Sequence, residues 1–320
     1  MNYEEAKNIP GMIEPVERKM LFNQAKEILL DDTDCVVEFG SFFGRSTNCI
    51  AQGLLVNPKY TPKCSLYTYD SFECDVDGWF APHVFAYAID ANVSHFVDVK
   101  NEKVNFEKVF THYLRSYISS NLVKSIKSEL HDCQAPNSNI ALMHVDSPKY
   151  YEEFKIILYR FFPKTKIGTI VVFQDFFYHW SGSLILIIAI LVKKGFIAIK
   201  ESAASSLVGK ILIVPSRSDI LELDLVMQNH EVCPEYFDFI IEECSKIEID
   251  RKEQFLPRLS LAKMQWFYSN EKYNDARKTM EDYLKEGNTF TRQVIDDFLE
   301  IFKNGFSIRR LFEKDHEKKK

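Results

Sequence analysis

Four stretches of this chain place chemically capable side chains directly after a short apolar run. In residues 35–46, CVVEFGSFFGRS, Glu38 is followed by Gly40 and Gly44. Glycines at a turn let a ligand approach the backbone, and a helix beginning there offers unpaired N–H groups. The spacing is not G-x-G-x-x-G, so the dinucleotide fingerprint fails at its first step. Alone, the stretch reads equally as a cofactor loop or as a strand turning a corner. In residues 67–72, YTYDSF, Asp70 closes a run; a carboxylate there can accept both hydroxyls of a ribose or cap a helix. Residues 144–150, HVDSPKY, carry Asp146 and Lys149, and residues 171–177, VVFQDFF, carry Gln174 and Asp175. Two acids at neighbouring strand ends can hold a divalent cation through oxygen ligands, and a lysine beside them can act as a base if its pKa falls. Asp146 as a helix cap and Lys149 as a solvated lysine of the first turn are equally open.

The elements that must position these residues are visible in the periodicity. Apolar residues between Met12 and Leu30 recur at helical spacing. Strand-like runs begin at 35, 65, 140 and 168, separated by helical stretches over residues 46–55 and 150–162. A helix over 183–193 and two further runs at 196 and 207 follow, the last two joined by a loop only. This alternation predicts βαβ units, a mostly parallel sheet buried on both faces, and an antiparallel hairpin at one edge. In such sheets ligands bind beyond the carboxyl ends of the strands, where all four stretches fall. The chain divides into an N-terminal helical cover (1–33), an α/β domain (34–216) with a helical insertion or lid at 75–129, and a helical C-terminal region (217–320). Residues 262–287 resemble one tetratricopeptide unit without a second copy, so an α-hairpin packed on the main domain is favoured.

Composition narrows the function classes. Formal net charge is −6 with both signs interspersed, which gives no basic stripe for nucleic acid; Lys318 to Lys320 read as a solvated end. Seven cysteines, an odd number with no C-x-x-C pair, fit a reducing compartment and a cytoplasmic protein. The N-terminus has no apolar core resembling a signal peptide. The most apolar run, residues 184–192, is too short to span a bilayer and reads as a buried helix.

Glu38-x-Gly40-x-x-x-Gly44-x-Ser46, preceded by two valines, resembles the first motif of class I S-adenosylmethionine-dependent methyltransferases, specifically small-molecule O-methyltransferases of the catechol and macrocin types. PGMIEPVERKML at 10–21 resembles the helix such enzymes place over the cofactor, and 140–154 with 166–175 resemble the later motifs in order and spacing. The resemblance covers about residues 10 to 215 and implies a Rossmann-like, doubly wound sheet. It implies cofactor contacts from Gly40, Ser41 and Phe42, with Glu38 and Ser46 fixing the loop or the amino-acid end. It also implies Asp70 on the ribose, and Asp132 and Cys133 in a loop against adenine. In metal-dependent members it gives Asp146 as a ligand and Lys149 as the base. The family then places Asp-Asp or Asp-Asn after the fifth strand; here Gln174 and Asp175 stand there, leaving Asp146 and Asp175 as the metal acids and a weaker Mg²⁺ site.

His179 and Trp180, just past the fifth strand, are the candidates for acceptor contacts. Trp79, Phe80, His83 and Phe85 read as an acceptor pocket or, more commonly, as an aromatic-rich helix packing on the sheet. His144 lies inside its apolar run and reads as a core or supporting histidine. The expected function is O-methylation of a small molecule, with a sugar or glycoside among the acceptors and a homo-oligomer compatible with the sequence. The alternative is a non-catalytic methyltransferase-like module that binds a partner through its helical C-terminal region. A nicotinamide oxidoreductase is disfavoured by the missing third glycine.

Overall fold

The computed structural model describes residue 6 and residues 8–288; the terminal lysines and the rest of the predicted 1–33 and 217–320 regions lie outside the described residues. In chain order the first elements are α1 (Pro15–Glu27), β1 (Asp34–Phe39), α2 (Arg45–Leu55), β2 (Leu66–Asp70), β3 (Glu73–Asp75), α3 (Ala81–Asp90), β4 (Asp98–Lys100), β5 (Lys103–Asn105), α4 (Glu107–Ser119) and β6 (Val123–Lys127). Then come β7 (Asn139–Val145), α5 (Tyr151–Arg160), β8 (Thr165–Phe173), α6 (Gly182–Lys193), β9 (Ile197–Ala203) and β10 (Ser206–Ile211). The last are α7 (Arg217–Gln228), α8 (Cys233–Lys246), α9 (Lys252–Ser269) and α10 (Tyr273–Lys285).

The main sheet has the order β6-β2-β1-β7-β8-β10-β9. β6, β2, β1, β7 and β8 run parallel, while β10 lies antiparallel to both β8 and β9. The expected α/β fold, Rossmann-like and mostly parallel with an antiparallel edge hairpin and C-terminal helices, is the fold observed. From β1 the chain winds outward to β2 and β6, then returns to β7 on the other side of β1. The strand order therefore reverses between β1 and β7, and the crevice for a ligand opens there.

Alternate residues of β1 feed two cores. Cys35, Val37 and Phe39 join the core shared with α5, α6, α8 and α9, whereas Val36 joins the one built with α1, α2 and α4. α6 is buried on nearly its whole circumference because α8 and α9 cover the side turned from the sheet. Its apolarity all round is that of a helix between two layers. Among the described residues no helix is long and apolar enough to cross a membrane. α9 and α10 pack on each other, and α9 seats on α6.

The expectation of a helical insertion at 75–129 needs correction. That segment contains α3 and α4, but also strands of a small antiparallel sheet, order β3-β5-β4, and β6, the outer strand of the main sheet. β6 reads VKSIK, buries only Val123 and exposes Lys124 and Lys127 at the sheet edge, so it lacks the apolar run that marks a buried strand.

Candidate active site

After β1 the backbone turns through Gly40 (φ +81°), Phe42 (φ +49°) and Gly44 (φ +93°) into α2. A β-carbon on Gly40 would lie 2.9 Å from the Ser147 backbone nitrogen, so the loops after β1 and β7 meet only because Gly40 lacks one. Asp70, closing β2, holds this turn. Its Oδ2 accepts the backbone N–H groups of Ser41 and Phe42, both at 2.9 Å, and its Oδ1 accepts that of Phe72 at 2.7 Å. Burial pushes the Asp70 carboxyl up to about 6, outweighing the three N–H bonds that favour its charge. Phe43 is buried, Phe42 stacks on it at 3.9 Å between centroids, and Phe42 also meets Phe80 and Phe106 edge-on.

A cleft of about 290 Å³ opens above this turn. Its lining includes Gly40, Ser41, Phe42, Ser46 and Asp70 from the first two strand ends, and Asp146, Ser147, Lys149 and Asp175 from the ends of β7 and β8. Residues 11–13 run across it as a strap. Arg45, in the first turn of α2, fastens the strap: its Nη1 donates to the carbonyl oxygens of Gly11 at 2.6 Å and Ile13 at 3.5 Å, and its Nε to that of Ile9. A second compartment of about 160 Å³ shares Gly40, Asp70, Ser71 and Ser147 and extends to Ser128, Glu129, Leu130 and Cys133. Of the two residues expected near adenine, Cys133 is on this wall. Asp132 is not; its side chain is 70% exposed beside His131.

Lys149 bridges the ends of β7 and β8. Its Nζ donates to Asp175 Oδ2 at 2.7 Å, to the Asp146 carbonyl at 2.7 Å and to Asp146 Oδ1 at 3.2 Å. Desolvation pulls the lysine pKa down, but the Asp175 and Asp146 charges outweigh it and hold it above the ordinary lysine range. Both carboxylates favour the ammonium form of Lys149, the opposite of the shift a base needs. Burial, then the Asp175 charge, raise the Asp146 pKa against the lysine, while at Asp175 the Lys149 charge overcomes burial and lowers it.

Gln174 turns away from the cleft. Its Nε2 donates to Glu17 Oε1 at 2.9 Å, and its Oε1 accepts the Ser206 hydroxyl at 2.8 Å. Glu17, on α1, also accepts from Ser205 and Ser206, and burial raises its pKa. On the other side His144 lies 3.5 Å from Gln174 Oε1 and 3.2 Å from Glu38 Oε1, and Glu38 accepts the Thr47 hydroxyl at 2.6 Å. Glu38 is thus buried beneath the glycine turn, off the cleft wall. A divalent cation does not fit the donors present. Asp146 and Asp175 are the two carboxylates, an ammonium already lies between them, and among the described residues no group of three His, Cys, Asp or Glu side chains could hold a metal ion.

The predicted acceptor contacts are placed elsewhere. His179 is 1% exposed, lies between the Tyr178 and Trp180 rings and, like Trp180, is off the cleft wall; burial pushes its pKa down to about 3. The exposed aromatic at the cleft is instead Trp79, 76% exposed, with Phe80 beside it. Arg45, Ser147 and Glu17 went unmarked in the sequence. Only the position of Arg45 immediately after Gly44 carried a signal.

Residues 37–176 match a family model described as a methyltransferase domain, a span that takes in the glycine turn, Asp70, Asp146, Lys149 and Asp175. No curated protein matches the chain. Among solved structures it is similar to the O-methyltransferase NovP, at 17% identity over 66% of this chain and 88% of that one, TM-score 0.45. Calicheamicin methyltransferase CalS11 is 18% identical over 61% of this chain and 77% of its own, TM-score 0.41. Methyltransferase PaMTH1 of Podospora anserina, with S-adenosylhomocysteine bound, is 13% identical over 66% and 86%, TM-score 0.40. The matched residues 37–176 carry a methyltransferase domain, on the sheet and crevice described above.

Proposed function

We propose that this protein uses S-adenosylmethionine to methylate a hydroxyl of a small molecule, with a sugar or glycoside as the favoured acceptor class. One observation carries the reading: the backbone turn braced by Asp70 and the Asp146–Lys149–Asp175 cluster line a single cleft at the switch point of the sheet. The residues fit the cofactor. Gly40, at φ +81°, turns its backbone onto the cleft, and Asp70, with one N–H on Oδ1 and two on Oδ2, keeps acceptor capacity for a ribose hydroxyl. Cys133 and Leu130 offer an apolar side to a base in the second compartment. When bound, S-adenosylmethionine supplies an electrophilic sulfonium methyl. Asp146 and Lys149 orient the acceptor hydroxyl, and Asp146, the acid with the raised pKa, takes its proton. Most of the acceleration comes from holding both reactants in line.

Seven free cysteines fit a reducing compartment and support a cytoplasmic placement. The non-catalytic alternative relied on the C-terminal helices as a docking element; α8 and α9 spend a face covering α6 instead. Calorimetric titration with S-adenosylhomocysteine, followed by a transfer assay over catechols and glycosides, tests the proposal. Binding that Asp70→Ala abolishes, with transfer to a member of the panel, is the expected result. Wild-type protein that binds no S-adenosylhomocysteine would end the reading.

A further inference from the structure

Resting on that methyl-transfer reading, we infer that the Lys149 ammonium takes the place of a divalent cation in this site, as the positive group that holds the acceptor oxygen. Three observations support it. Lys149 Nζ lies within 3.2 Å of oxygens at the ends of both β7 and β8, at the point where a cation would bridge Asp146 and Asp175. The residue that would supply a further oxygen, Gln174, has both ends of its amide committed to Glu17 and Ser206 inside the sheet. The lysine is also held from its own backbone: its N–H donates to Glu153 Oε2 at 2.8 Å, and Pro148 precedes it. A magnesium ion asks for near-octahedral oxygen coordination, and two carboxylates already paired with an ammonium do not provide it.

The exchange changes the charge of the site. A divalent cation would neutralise both carboxylates, whereas one ammonium leaves a net negative charge. That remaining charge gives the site its own proton acceptor. An ammonium has three N–H donors, and the longest of the three contacts, to Asp146 Oδ1 at 3.2 Å, is the one an acceptor oxygen replaces. Asp146 Oδ1 is then free to face the acceptor proton. The acceptor oxygen forms a bond to the sulfonium methyl carbon, the carbon–sulfur bond breaks with its electron pair going to sulfur, and the hydroxyl proton goes to Asp146. Lys149 keeps its three protons throughout.

The test uses the full chain saturated with S-adenosylhomocysteine and titrated with Mn²⁺, bound metal being followed by electron paramagnetic resonance. The expected result is no saturable binding up to about 1 mM, the weak end of dedicated oxygen-donor cation sites, together with methyl transfer that EDTA leaves unchanged. Lys149→Met should keep S-adenosylhomocysteine affinity and lose about 10²–10³ in turnover, the cost of one transition-state donor, with no rescue by Mg²⁺. Saturable Mn²⁺ binding that Asp175→Asn removes, transfer abolished by EDTA and restored by Mg²⁺, or full turnover in Lys149→Met would each overturn the inference while leaving the methyltransferase reading intact. Failure of wild-type protein to bind S-adenosylhomocysteine would instead overturn the underlying reading, and this inference with it.

Discussion

Two polar groups sit almost side by side on the same two strands and behave differently. Glu38, His144, Gln174 and Glu17 form a chain sealed between α1, α2 and the sheet. Two residues beyond His144, and one beyond Gln174, Asp146 and Asp175 lie on the cleft with side chains 29–33% exposed. Inside the sheet every polar atom must find a protein partner, since desolvation without one costs free energy. At the strand ends the partners are a lysine and whatever occupies the cleft. Proximity to the reacting centre thus does not separate support from chemistry; the direction in which a strand residue points does.

The sharpest way to break this distinction is to remove one carboxylate charge from the cleft. Asp146→Asn keeps the shape and should lower turnover by about 10²–10⁴ with little change in the unfolding midpoint. Turnover at the wild-type level would show that the exposed cluster is not the chemical one. The converse experiment is Glu38→Gln. Desolvation lowers the His144 pKa, but the Glu38 hydrogen bond and charge prevail and leave it raised, and the two side chains pair at 3.2 Å out of solvent. Removing one partner should cost about 3–5 kcal/mol in urea unfolding, and S-adenosylhomocysteine affinity of the folded protein should be kept. A variant of unchanged stability with lost turnover would move the buried chain into the chemistry.

Next in size come two pH effects of opposite sign. Because the folded-state pKa of His144 is raised, its pairing stabilises fully below the unfolded value of about 6.5 and is lost as pH rises through the folded pKa. Stability should therefore fall on the alkaline side, and Glu38→Gln should flatten the profile. Asp70 acts through binding. Its carboxyl, pushed up to about 6 by burial, must be ionised to accept backbone and ribose donors together. S-adenosylhomocysteine affinity should fall as pH drops through about 6, by up to about tenfold per further unit. Calorimetry from pH 5 to 8 that shows constant affinity would remove Asp70 from cofactor binding.

The residues closing β1, β2, β7 and β8 were legible because an apolar run followed by a polar residue marks both a strand and its end. Gly40, Asp70, Asp146, Lys149 and Asp175 do converge on one cleft. What could not be read was direction. Gln174 and Asp175 are adjacent, and only the left-handed backbone at Asp175 (φ +58°), which no residue type announces there, turns the second toward the cleft and carries His179 into the protein. The strap was illegible for another reason: Arg45 binds carbonyl oxygens of residues 9, 11 and 13, and backbone acceptors leave no trace in side-chain pattern.

The same contrast between buried and exposed groups decides the smallest effect. Two aromatic-containing stretches competed for the acceptor role, and the buried one, His179 with Trp180, lies off the cleft, while Trp79 stands exposed at its mouth beside Phe80. An indole face of this kind stacks on a planar or ring-shaped acceptor for about 0.5–1.5 kcal/mol. Trp79→Ala should therefore raise the acceptor KM about 2–10-fold and leave kcat and S-adenosylhomocysteine binding where they were, since its ring packs on Phe80 and His83. His179→Ala should do the reverse, lowering stability by leaving a cavity where its buried ring packs against Tyr178 and Trp180, while acceptor KM holds. If instead His179→Ala raised KM and Trp79→Ala did not, the acceptor would approach from the C-terminal helices rather than from the strap, and the cleft would be serving the cofactor alone.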